Sequence, residues 1–391
     1  MRWTLSTLVA LAVLGGGCGK PGVTPTPPPD QPPVDVVSAS VDPTPDSAAP
    51  PMADTAAPTA SDDAVYVPAP LENPPNPPTS ARAVALVASI TRFNAHAFDE
   101  AYAGMIDGVV VQQVGDPVTP VLTGREAIAA RDRAMAEAAT HYAIVAERLY
   151  EAGDWIIIDG VIWGQQDAPL FGHPASRRRF SVAVIWAYHY DADGKIDRVD
   201  RFFDDAALLL QLGHLEPVPG ARERLQAAPT DDAVESTEGA PNPTGEAIVR
   251  RVEATFADGT IDAAWDGLFA PTFRFSSVNE TLQTTTQTEY LAYRRAPDEL
   301  GVRWSPAVQL DRVLSVDDRV LTWATHVGTY TGEGTGEGTG EDAASVPKGT
   351  DVTAHTFDIW VLADGKVKSQ RTFGNGLEVR AQLGMLPGVR P

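Results

Sequence analysis

An α+β fold occurring twice in tandem is what this chain of 391 residues predicts, and three observations predict it. The phrase "RFFDDAALLLQLG" from Arg201 to Gly213 returns as "RTFGNGLEVRAQLG" from Arg371 to Gly384. Helix-period sequence precedes strand-period sequence, the order of an α+β domain. A stretch of proline, acidic and small residues, "AAPTDDAVESTEGAPNPTG" from Ala227 to Gly245, separates the halves and reads as a linker.

Each half opens with a helix, because apolar residues from Ala83 through Phe93 to Ile106 recur every three or four positions. "ITRFNAHAFDEAYAGMI" from Ile90 aligns with "VEATFADGTIDAAWDGLF" near Val252, matching Phe93 to Phe256, Asp99 to Asp262 and Tyr102 to Trp265. A further helix follows Thr123, with Glu126 three residues on as in a capping box, and "TQTEYL" from Thr286 matches it. Strand-type runs come next: "WIIIDGVIW" from Trp155, "RFSVAVIWAYHY" from Arg179 and "KIDRVDRFF" from Lys195. They predict an antiparallel sheet, with "DGKI" at Asp193 and "DGKV" at Asp364 as hairpin turns. Gln-Leu-Gly reads as a helix end, with Leu212 and Leu383 turned inward and Gly213 and Gly384 left-handed. The greater length of the second half is absorbed by "TGEGTGEGTGED" from Thr331 to Asp342, a solvated tip without the lysine and helix of a phosphate loop.

With 52 acidic against 30 basic residues and a net charge of -22, the chain repels nucleic acid and anionic headgroups. Cys18 is the only cysteine, so there is no intrachain disulfide and no thiolate metal cluster, and the histidines lack metal-ligand spacing. Arg2, the apolar run Trp3 to Leu14 and three glycines make residues 1–18 an export signal, too short to span a bilayer. A small-residue run ending in Cys18 resembles a lipoprotein signal, with the cysteine acylated; cleavage after Gly17 to release a soluble secreted protein is the alternative. Residues 19–78 carry 18 prolines and only scattered Val, Leu and Tyr, so they read as a disordered tether to the envelope. The expected organisation is therefore signal 1–18, tether 19–78, first domain 79–218, linker 219–243 and second domain 244–391.

The sequence "FNAHAFDEAYAGM", then "TGREAI", then strands, then "YHYDADGKIDRVDRFFDDAALLLQLG" resembles the SnoaL-like polyketide cyclases of the nuclear transport factor superfold. The resemblance covers about Ala81 to Leu215 and more weakly Thr244 to Leu386. It implies a cone-shaped α+β barrel around an apolar pocket, no metal and no cofactor. It also implies an acidic residue near the closing strand that takes a proton from carbon beside a carbonyl, and Asp204 stands at that position. A carboxylate can do this when burial raises its pKa toward working pH.

If Tyr190 lies opposite Lys195, then Arg198, Asp200, Phe202 and Asp204 share a face with Ser181, Ala183, Ile185, Ala187 and His189. The small side chains leave room for a ligand, so this face is the expected pocket, with Asp204 and His189 as catalytic candidates. Trp163, Arg198, Asp200, Phe202 and Ile185 are the expected ligand contacts. The opposite face, Phe180 to Tyr190, suits packing on another sheet, and the aromatics around Trp186 and Phe357 are candidates for pairing the two domains within the chain. In the second half Asn375 replaces Asp204, and the same register sets Trp360 against His189, a copy without titratable groups. Asp and Asn cap helices about equally, so Asp204 is a cap on one reading and a base on the other, and the two are compatible. The function expected is binding of a small apolar or carbonyl-containing molecule in the first domain. A cyclase or isomerase with Asp204 as base, and a non-catalytic scaffold, are the alternatives.

Overall fold

The computed structural model describes residues 65–66, 76–217, 226–227, 234–278, 283–332 and 346–386. The signal with Cys18, most of the Pro-rich segment, residues 218–225 and 228–233, and the Gly-rich tip from 333 lie outside the described residues.

The first half runs β1 (Val65–Tyr66), α1 (Ala81–Asn94), α2 (Phe98–Ala101), β2 (Met105–Val114), β3 (Val121–Thr123), α3 (Arg125–Ala138), β4 (Ala139–Ala152), β5 (Trp155–Gln166), β6 (Arg179–Tyr190), β7 (Ile196–Phe203) and α4 (Asp205–Leu212). Two short strands follow, β8 (Gln226–Ala227) and β9 (Glu235–Glu238). The second half runs α5 (Pro243–Ala257), α6 (Ile261–Leu268), β10 (Phe269–Ser277), β11 (Gln283–Thr284), α7 (Gln287–Arg295), β12 (Val302–Val316), β13 (Arg319–Tyr330), β14 (Asp351–Ala363), β15 (Lys366–Gly374) and α8 (Gly376–Gln382). From α1 to α4 and from α5 to α8 the element order is the same, and two separate sheets fit two tandem α+β domains.

The first sheet is ordered β3-β2-β7-β6-β5-β4-β9 and the second β11-β10-β15-β14-β13-β12. Both are mixed, which corrects the antiparallel expectation: β2 pairs parallel with β7, and β10 with β15. The chain visits the sheet between α2 and α3, and again between α6 and α7, so that strand enters in the direction its helices dictate. Part of the segment expected to be a bare linker is strand too, since β9 runs parallel to β4 along the edge of the first sheet.

Local signals act differently in the two halves. Thr286 caps α7 by accepting from the Glu289 amide at 3.2 Å, and the Glu289 carboxylate reaches back to the Thr285 amide at 3.2 Å. In the first half Thr123 belongs to β3, and the cap of α3 is Gly124 at φ 92 with no side-chain bond. A bulge near the hairpin end sets Tyr190 opposite Ile196 rather than Lys195, and Leu362 opposite Val367. Gly213 ends α4 in the left-handed region at φ 73, with Leu212 buried beneath it.

Two cores decide what each face of the first sheet does. Phe180, Val182, Val184, Trp186, Tyr188 and Tyr190 point into the interior under α1 and α3, where Trp186 meets Phe93 at 5.7 Å. Ala183, Ile185, Ala187 and Phe202 point the other way and pack, with Trp155 and Ile157, on Leu321, Trp323, Phe357, Ile359 and Phe373 of the second sheet. The faces are therefore reversed from expectation. Large aromatics fill the deep space between sheet and helices, and small residues let a second sheet approach.

Candidate functional site

The residues singled out in the first half fall mostly on the seam between the sheets. Ile185 is buried there, and the Phe202 ring lies 5.4 Å from Phe357. Asp200 accepts from the Trp323 indole N–H at 3.0 Å and from Arg198 Nε at 2.7 Å, while Arg198 also donates to Gln112 at 3.0 Å. Trp163 is half-buried with its ring parallel to His141 at 6.0 Å. None of these five side chains lines the cavities described below. The seam-facing ones are held by a neighbouring sheet, which is why small and polar residues line them.

His189 bonds Asp197 at 2.6 Å and lies against Trp155 at 5.0 Å. It pairs across the ladder with Arg198, six residues before Asp204, so at ~3.3 Å per strand residue the two candidates stand roughly 20 Å apart. They form no acid–base couple. Asp204 is the N-cap of α4, accepting from the Ala207 amide at 3.2 Å, and the same oxygen accepts from the Gly376 amide of the second half at 3.0 Å. Asn375 caps α8 through the Leu377 amide at 3.0 Å and donates its Nδ2 to Asp205 Oδ2 at 2.9 Å. Asn375 is therefore a donor to the buried Asp205 as well as a helix cap. Burial and the nearby Asp116 raise the Asp205 pKa to about 7.

The interior of the first half is filled. Arg201 donates to Asp132 at 3.1 Å and to Tyr102 at 3.3 Å, Tyr102 donates to Asp132, and the guanidinium sits 4.3 Å from the centre of the Trp186 ring. The space left beside them is about 20 Å³, room for one water. The expected first-domain pocket is thus corrected: the face on which it was expected packs on the second sheet, and the interior on the opposite face holds a buried ion pair and an indole.

The second half has the space instead, a cavity of about 440 Å³. Ladder positions explain why. Where Trp186 faces Arg201 in the first half, Asp358 faces Thr372 in the second, so short polar side chains replace an indole and a guanidinium. The same ladders set Val361, not Trp360, at the position of His189, since His189 faces Arg198 and Val361 faces Ser369.

Asp358 is 4% exposed. Its Oδ1 accepts from Thr372 at 2.5 Å and Gln370 at 3.1 Å; its Oδ2 accepts from Thr356 at 3.3 Å and Thr322 at 3.4 Å, a looser hold. Burial, against the pull of these donors, raises its pKa to about 6. Behind it Tyr290 donates to Gln370 at 2.6 Å, and Arg294 binds both Glu253 oxygens at 3.3 and 3.0 Å while lying 4.1 Å from the Phe256 ring centre. His326, bonded to Thr356 at 3.0 Å, has its pKa lowered to about 4 by burial and the Arg294 charge, so it is neutral at pH 7. Asp298 accepts from two backbone amides at 2.9 Å and from the Trp304 indole at 3.0 Å, and burial raises its pKa. Phe275, Tyr293, Leu300 and Val308 supply apolar wall, and Asp204 reaches the lining from the first half.

Among the described residues no group of three or more His, Cys, Asp or Glu is arranged to hold a metal, and no helix is long and apolar enough to cross a membrane.

Residues 83–212 match the family model described as SnoaL-like polyketide cyclase. No curated protein matches the chain. Among solved structures it is similar to TsrD from Streptomyces laurentii, at 24% identity over 35% of this chain and 99% of that one, with a TM-score of 0.32. A protein from Jannaschia sp. CCS1 described as a SnoaL-like polyketide cyclase is 19% identical over 36% of this chain and 100% of its own, with a TM-score of 0.31. IdmH from Streptomyces antibioticus, described as a polyketide cyclase, is 18% identical over 34% and 99%, with a TM-score of 0.31. The first half is thus similar to the SnoaL-like polyketide cyclases, and the cavity lies in the half beyond that match.

Proposed function

We propose that the chain binds a small, partly apolar molecule in the cavity of the second half, with Asp358 as its polar anchor and its partner in proton transfer. One observation carries this: a space of about 440 Å³, within the ~300–1,000 Å³ usual for small-molecule sites, has a buried carboxylate of raised pKa on its wall. A carboxylate with a pKa of about 6 is ionised at pH 7 yet basic enough to accept a proton from carbon beside a carbonyl and return it at a neighbouring position. That is cyclase- or isomerase-type chemistry and follows from this chain's own residues. The loosely held Oδ2 is the oxygen with capacity to spare.

The experiment uses 2-tetralone, an apolar ketone. Saturable quenching of tryptophan fluorescence reports binding, and deuterium uptake beside the carbonyl in D2O reports proton transfer. Asp358→Asn is expected to keep binding within a few-fold and to slow uptake by about 100-fold or more. Absence of saturable binding sinks the site, and unchanged uptake in the variant removes Asp358 as the base.

The N-terminal reading is carried with this proposal: an exported protein held at the envelope by an acylated Cys18 and a Pro-rich tether. Release of Cys18→Ser from the membrane fraction, with a lipid mass on the wild-type N-terminus, is the expected result. An unmodified N-terminus removes the anchor.

A further inference from the structure

Resting on the cavity reading above, we infer that the second-half cavity selects a cation: an apolar molecule bearing a protonated amine or quaternary ammonium group. The balance of charge along the wall carries the inference. Asp358 and Asp298 are both held by neutral donors only, hydroxyls and an amide at the first, backbone N–H groups and an indole at the second. Among the described residues the one guanidinium on the wall, Arg294, is engaged by both oxygens of Glu253. The imidazole of His326 is uncharged at pH 7, and that of His355, whose pKa the Glu378 carboxylate raises, is engaged by that carboxylate, so neither offers Asp358 or Asp298 a counter-charge. A buried carboxylate in neutral surroundings loses hydration without gaining a counter-charge, and an incoming cation supplies one.

The remaining wall suits the same ligand. Trp304, Tyr293 and Phe275 line the cavity, and the negative faces of aromatic rings attract ammonium groups by ~0.5–2 kcal/mol each where water is excluded. An anion meets the opposite situation. A neutral ligand of the same shape keeps the apolar contacts and loses only the charge term.

Three probes on one ring skeleton separate these terms: protonated 2-aminotetralin, neutral 2-tetralol and the anion of tetralin-2-carboxylic acid, titrated at pH 7 against the full chain. The amine is expected to bind about tenfold or more tighter than the alcohol, and the acid not measurably. Asp358→Asn and Asp298→Asn are each expected to cut the amine-to-alcohol affinity ratio by about threefold or more. That readout also separates the wall from the general attraction of a chain of net charge -22, which either substitution leaves nearly intact. Alcohol binding as tight as the amine overturns the charge selection and leaves the cavity reading standing. Failure of all three probes overturns both. An amine preference that survives both substitutions undiminished assigns it to the surface and overturns the inference.

Discussion

Trp186 and Asp358 occupy the same ladder position in the two sheets, and the contrast between them is the contrast between a filled interior and an open one. In the first half the indole lies between Phe93 and the Arg201–Asp132 pair. In the second, a carboxylate held by four polar partners stands on the cavity wall. The same order of helices and strands therefore closes over a filled interior in one half and a cavity in the other, and the facing pair Trp186–Arg201 stands where the second half has Asp358–Thr372. The half that matches the cyclase family by sequence is the solid one.

The sharpest way to break the comparison is to hollow out the first half. Trp186→Ala is expected to destabilise the chain by about 3–5 kcal/mol, through lost burial and loss of the ring under Arg201. Urea unfolding measures it. A change under about 1 kcal/mol means the indole is not what fills that interior.

A second test uses pH. Burial lets folded Asp358 keep its proton up to about pH 6, whereas an unfolded aspartate loses it near ~4, so this group lowers stability as pH rises between those values. Folded His326 resists protonation down to about pH 4, whereas an unfolded histidine gains its proton near ~6.5, so this group raises stability over the same window. The two slopes oppose each other in the parent. Relative to it, Asp358→Asn is expected to gain stability from pH 4.5 to 6.5 and His326→Gln to lose it, each by on the order of 2 kcal/mol. Parallel profiles in all three proteins contradict the cavity's burial.

The smallest expected effect compares the two caps. At pH 8, where Asp205 is mostly ionised, Asn375→Asp sets two carboxylates face to face and is expected to cost about 1–3 kcal/mol. Asp204→Asn keeps an oxygen for the Ala207 and Gly376 amides and is expected to cost less than about 1 kcal/mol. Equal effects in denaturant unfolding remove the distinction between cap and interdomain donor.

Much of the architecture was legible in the chain. Helix periodicity from Ala83, the runs from Trp155, Arg179 and Lys195, and Gln-Leu-Gly led to the α+β order in both halves. Beyond Asp204, which reaches the cavity lining, the site was not legible, for two physical reasons. Small residues on a strand, such as Ala183 and Ala187, make room equally for a ligand or for a neighbouring sheet, and composition cannot separate these. Register also has period two, so aligning Trp360 rather than Val361 with His189 sets Asp358 against the seam-facing Ala187 instead of Trp186, and the one exceptional interior residue passes unnoticed. The partners of Asp358 are spread over three strands, β13, β14 and β15, and no local motif joins them.

Strand β9 gives the connecting segment a protective role. A sheet whose last strand bears unpaired N–H and C=O groups invites the edge of another molecule, and long flat edges are where native proteins begin to aggregate. On the first sheet that edge is β4, fourteen residues long, and Glu235–Glu238 pair along part of it with a short strand carrying two glutamates. The second sheet ends at β12, where Pro306 and two breaks in register interrupt the ladder. In the first half the chain shields its own exposed edge with four residues of connecting peptide, so shortening that connection is expected to raise self-association before it disturbs either core.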